Sequence, residues 1–143
     1  MTSPAVRSAI KAQLTANWTA TPVFDMSDYV SFDDIPQGDG DAMLLLEFIG
    51  GTERLATIGQ IEDHSWREEG TVIFHLVMPT GEPSARALSY GEQLVTMFRG
   101  KRLGPFLIDY FEHFADFTGA AIRVNGRWHG WSANLGYTST VCA

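Results

Sequence analysis

Apolar residues return every fourth position near the start of the chain, at Val6, Ile10, Leu14 and Trp18, while Arg7, Lys11 and Gln13 fall largely off that stripe. The spacing predicts an amphipathic helix over Pro4–Trp18. Ser3-Pro4 supplies its start, because serine can cap a free amide and proline is tolerated in the first turn. Thr21-Pro22 ends it, since a residue preceding proline avoids the helical region. A second periodic run, Ala87, Leu88, Gly91, Leu94, Val95 and Phe98, predicts a helix over Pro83–Phe98 with Gly100 as its C-terminal stop. Gly91 on the packed stripe costs about 1 kcal/mol relative to alanine. A close approach of helix to sheet would account for it.

Other segments have the period of strands. Met43–Ile49 is a short apolar run closed by Gly50-Gly51, which predicts a buried strand. Arg54–Gly59 reads as a second short strand or an extended arm. Across Trp66–Met78, Val72, Phe74, Leu76 and Met78 share one face while Ile73 and Val77 lie on the other, so both faces are expected to be covered at that end. Phe106–Phe117 fits a helix face through Leu107, Tyr110, Phe111, Phe114 and Phe117, but its aromatic content suits a strand equally. Ala120–Val124, Asn125-Gly126 and Arg127–Trp131 form a hairpin signal, because Asn-Gly accepts the positive φ angles of a type I′ turn. The stretch through Val141 alternates as a final strand.

Together these elements predict an α+β fold: a mainly antiparallel sheet of about four strands, near 43–49, 68–78, 120–124 and 127–140, with two packed amphipathic helices. Hydrophobic residues make up 45% of the 143, enough for one core and hence one domain over 1–143. The net charge of −7 argues against a broad phosphate-binding surface, although Arg99, Lys101 and Arg102 form a local basic spot. The single cysteine, Cys142, excludes an internal disulfide and a Cys-rich metal site. No run reaches the length of a membrane span and no signal-peptide order opens the chain, so folding in a cytoplasm is expected.

Candidate chemistry is sparse. The four histidines, His64, His75, His113 and His129, show no metal-ligand spacing. Six aspartates crowd the stretch from Asp25 to Asp41, which also holds Pro36, Gly38 and Gly40 and reads as a surface loop. Its aspartates lack the ordered ligand series of a calcium loop. Trp128 and Trp131 beside Arg127 could stack on bases or sugars, or pack within a hairpin. Neither a nucleophile elbow nor a phosphate-binding loop is present. The sequence thus names no catalytic residue, metal or cofactor.

The order of pieces is more informative. Arg67 to Gly81 is a glycine-bounded strand that feeds into a helix ending Phe98-Arg99-Gly100-Lys101-Arg102-Leu103. Some twenty residues later comes Asn125-Gly126-Arg127-Trp128-His129-Gly130-Trp131 and a last alternating segment. This order resembles the tail-terminator (tail-completion) proteins of long, non-contractile-tailed phages, over most of the chain. The resemblance rests on element order and short anchor segments, and typical members are shorter around Phe106–Phe117. It implies a non-enzymatic virion protein, sited at the head-proximal neck of the tail and made in the host cytoplasm. Such a subunit would close the end of the tail tube as a ring, stop tube polymerisation and form the head–tail joining surface. The implied partners are further copies in a hexameric ring, the tail tube protein and the head–tail connector protein. DNA would pass through the lumen without specific binding, and no membrane is involved. Within this reading Asp33, Asp34, Asp39 and Asp41 are candidates for a tube-docking or lumen-facing loop, and Arg54, Arg67 and Arg99 for subunit contacts. A head-side connector or minor tail protein is the near alternative. A small α+β ligand-binding domain or enzyme, with a pocket of Trp, His and Asp, is the alternative of another class.

Overall fold

Three strands whose long runs of β-forming residues pair over most of their length make the body of the protein. The computed structural model describes residues 3–30, 34–36, 42–55, 65–81, 84–103, 106–117 and 128–142. Helix α1 (Pro4–Asn17) comes first, followed by β1 (Val23–Asp25), a 3-10 turn at Met26–Asp28 and β2 (Met43–Leu55). Then come β3 (Ser65–Pro79), α2 (Ser84–Phe98), β4 (Arg102–Leu103), β5 (Phe106–Phe111), β6 (Ala115–Phe117) and β7 (Trp128–Cys142). The sheet order is β1-β2-β3-β7-β5-β4, and β6 also pairs with β7, beyond the end of β5. β1 runs parallel to β2; all other pairs are antiparallel.

The expected four-strand sheet with two packed helices is therefore corrected: the molecule is mostly sheet, mixed in direction and curled as a half-barrel, with two helices added. Two local readings explain the difference. Val23–Asp25, of which Asp25 reads as the opening of the aspartate-rich loop, adds a parallel edge strand at Leu44–Leu46. Phe106–Phe117, ambiguous by period, is two strands, because the open edge of β7 offers hydrogen-bond partners to Phe106–Phe111 and again to Ala115–Phe117. Thr52–Leu55 simply continues β2 past an irregularity rather than starting a new element. The expected strand at 120–124 and its Asn125-Gly126 turn lie outside the described residues.

One sheet face carries the main core. Leu44 and Leu46 on β2, Val72, Phe74 and Leu76 on β3, and Ala133, Leu135 and Tyr137 on β7 meet Val6, Ile10 and Leu14 of α1 and Leu94 and Phe98 of α2. Phe74 sits among rings, 5.3 Å from Phe98 and 5.0 Å from Phe111. Gln13 of α1 donates to the Met97 carbonyl of α2 at 3.2 Å, which ties the helices together. Gly91 is buried, and a Cβ there would lie 2.9 Å from the Phe114 ring. The close approach anticipated at this glycine is thus made by the β5–β6 segment. Gly100 ends α2 with φ +68°, a left-handed conformation that glycine adopts freely.

Candidate functional site

The described residues cover the second sheet face only in part. At one end Ile35, Met43, Leu45, Val77 and Trp128 form a smaller core, with Phe24, Met26 and Tyr29 packed on it. The segment from β1 to β2 closes that end. Beyond it, strand alternation points Glu47, Ile49 and Thr52 of β2, Glu69, Thr71 and Ile73 of β3, and Asn134 and Thr138 of β7 to the same side, where no helix lies among the described residues. Ile49 and Tyr110 remain 41% and 47% exposed there.

Two irregularities shape this open face. The β2–β3 register shifts between Ile49 and Thr52, at Gly50-Gly51, and the β5–β7 register shifts between Ile108 and Tyr110, at Asp109. A bulge kinks its strand and re-aims side chains. Between the two shifts lies a depression of about 470 Å³ whose rim includes Thr52, Glu69, Thr71, Asp109, Tyr110 and Thr138. The Thr138 hydroxyl donates to the Asp109 carboxylate. The Tyr110 ring packs against Gly136, where a Cβ would come within 2.2 Å of it. On the opposite face the Tyr137 ring occupies the space that a Cβ on Gly70 would need.

Three buried polar groups brace the frame around it. Asp25, held at 2.8 Å by Lys11 and at 3.4 Å by Arg7, also accepts from the amide and hydroxyl of Ser27. Burial alone pushes its pKa up, but the hydrogen bonds from Lys11 and Ser27 and the charge of Lys11 outweigh this and hold it below the ordinary carboxylate value. Glu68, 1% exposed, accepts from the Ser3 amide at 2.9 Å and the Ser3 hydroxyl at 3.0 Å. Its carboxylate therefore sits at the N-terminus of α1, where the helix dipole favours negative charge. Ser3 makes no side-chain cap of its own, contrary to the expectation. His75 spans Ser132 at 2.7 Å from Nδ1 and Glu47 at 2.8 Å from Nε2. A Ser–His–Glu chain can relay protons, but this one joins β7, β3 and β2 with the imidazole 4% exposed, and it reads as a cross-strand brace.

The sequence-predicted residues do not form one site. Asp33, Asp39 and Asp41 lie outside the described residues. Asp34 is exposed beside Ile35, which is buried against β2 and β3, so this part of the acidic stretch is anchored on its own sheet. Arg54 and Arg67 occupy opposed register positions on β2 and β3, far from Met43 and Val77 at the other end. At about 3.3 Å per residue that separation is roughly 35 Å. The Arg67 side chain is half-exposed, 4.0 Å from Glu69. Arg99 donates from Nη2 to the Phe111 carbonyl at 2.7 Å, which gives it a role within the chain, between the end of α2 and β5. Trp128 and Trp131 face opposite sides of β7, one in each core, so they cannot form a common stacking surface. Among the described residues no three His, Cys, Asp or Glu side chains converge as metal ligands. The depression itself has no signature in the sequence beyond the glycines at 50, 70 and 136 that line it.

No protein-family model and no curated protein matches the chain. Solved structures do match in fold. One of them, whose name describes no function, is 19% identical with a TM-score of 0.63, covering 97% of this chain and 96% of its own. At that identity the likeness establishes a shared fold alone. The architecture is therefore one that at least one other chain adopts along nearly its whole length.

Proposed function

We propose that the protein is a structural subunit of a long-tailed phage or phage-like particle, capping the head-proximal end of the tail tube. The observation that carries this reading is the order of anchor segments. A long strand ends at Pro79-Thr80-Gly81, a helix ends at Phe98-Arg99-Gly100, and a long last strand follows, as β3, α2 and β7 do here. That order is the one by which the chain resembles tail terminators. A cap must fit the last tube ring on one side and refuse a further tube subunit on the other. The molecule has surfaces suited to two unlike neighbours: an open sheet face with Arg67 and the depression, and, at the other end of the strands, the segment carrying Asp28 and Asp34.

In this reading six copies close head-to-tail around the lumen, with the tube protein below and the connector above. The acidic stretch either docks on the tube or lines the lumen, where negative charge lets DNA slide past without a hold. Docking is the better supported of the two, because Tyr29 and Ile35 already seat the segment against β2 and β3 and Val30, 98% exposed, projects beside them. The test is deletion of the gene in its phage or prophage. Overlong or headless tails are expected, and normal-length tails joined to heads would overturn the proposal.

A further inference from the structure

Two carboxylates flank Thr138 on the open face. Glu69 is its register partner on β3, and Asp109, at the β5 irregularity, accepts a hydrogen bond from its hydroxyl on the other side. The strands carrying the two acids stand two spacings apart, about 10 Å. Both acids line the depression, together with the hydroxyls of Thr52 and Thr71 and the half-exposed ring of Tyr110. A neutral occupant would leave the carboxylates without a counter-charge, and an anionic one would be repelled. A guanidinium suits all of these groups at once: its planar fork donates to carboxylates and hydroxyls, and its face stacks on a phenol ring. The chain's own Arg67 approaches Glu69 only to 4.0 Å, with both side chains about half-exposed, so this acid is not held by a close internal pair.

We propose that the depression receives an arginine side chain from a basic segment of a partner protein. Glu69 and Asp109 supply the charge, Thr138 holds Asp109 in place, and Tyr110 forms the wall. The inference stands apart from the tail-end reading, because it concerns what the surface binds rather than where the particle places it.

The experiment is a heteronuclear NMR titration of the whole chain with acetyl-Gly-Arg-Gly-amide and with its norleucine counterpart. Saturable shifts centred on Glu69, Asp109, Tyr110 and Thr138 are expected with the arginine peptide, at a Kd in the millimolar range, about that of a single side chain. The norleucine peptide should bind about tenfold more weakly, and the double variant Glu69→Gln, Asp109→Asn should weaken the arginine peptide by about tenfold as well. Arg67→Ala should leave binding unchanged or tighter, since it removes the internal competitor for Glu69. Equal affinity for the two peptides, shifts centred elsewhere, or no saturable shift would overturn the proposal. Concentration-dependent self-association that disappears in the double variant would also overturn it, by assigning the depression to a second copy of this chain. The comparison of the two peptides decides the matter even if the double variant does not fold.

Discussion

Gly136 shows how much a single position can carry here. Its missing side chain lets Tyr110 lie against β7, with a Cβ position only 2.2 Å from the ring. Gly136→Ala forces that ring off the sheet, and we expect a loss of about 1–3 kcal/mol in denaturant unfolding. Because the cost lies in the pair, adding Tyr110→Ala should recover part of it, a non-additivity that a double-mutant cycle measures. Asp25 makes a different kind of contribution. Its pKa is lowered in the folded state, so its stabilisation is fully present above the ordinary carboxylate pKa and is lost as pH falls from there through the folded value. Asp25→Asn should therefore lower stability at neutral pH and flatten the acid limb of the stability profile. A variant whose stability falls with acid as steeply as the parent's would contradict this. Neither role was visible in the chain. Asp25 counted as one of six loop aspartates, and nothing local to it says that Lys11 and Arg7 arrive from α1.

Elements with a clean period were legible, and elements defined by a neighbour were not. Val6, Ile10 and Leu14 all point into the core, and α1 spans Pro4–Asn17 as their spacing implies. β3 and β7 follow the alternation of Val72, Phe74 and Leu76 and of the terminal stretch. By contrast β1, β4 and β6 are two or three residues long, and each exists because an edge was free to pair. A short segment contains too little period to declare itself. Glu68 is a related case. It reads as one of two acidic residues before Gly70, yet it is buried and bound to Ser3 across 65 positions of sequence. Glu68→Gln removes half of that acceptor pair, and a loss of about 1–3 kcal/mol is expected. Amide exchange in the first turn of α1 should rise more than exchange in β3, since the bond joins the helix start to the sheet. Uniform exchange across both would show that Glu68 does not hold the helix end.

At the scale of the whole molecule, the proposed cap would need two unlike surfaces, and the fold offers two. The helices pack on one sheet face, and described residues of the β1–β2 segment take one end of the other, which leaves the depression and Arg67 on the remainder. Arg67 and the anchored acidic segment stand roughly 35 Å apart along the strands, so in a single molecule they cannot neutralise each other. In the proposed ring, contacts between copies through such ends would be head-to-tail, and they close a ring only if the rotation divides a full turn. Pairs of this kind at a rim set orientation and association rate more than strength. Arg67→Glu should accordingly slow the formation of capped tails and make it less salt-sensitive, while the thermal unfolding of the isolated chain shifts little. The most direct measurement is a reconstruction of the head–tail junction in particles carrying this protein. The account predicts one ring of six copies between the last tube ring and the connector, with the open sheet face or the acidic end in contact with a neighbour. Density for the chain elsewhere in the particle, or a junction lacking it while tails keep their normal length, would contradict it.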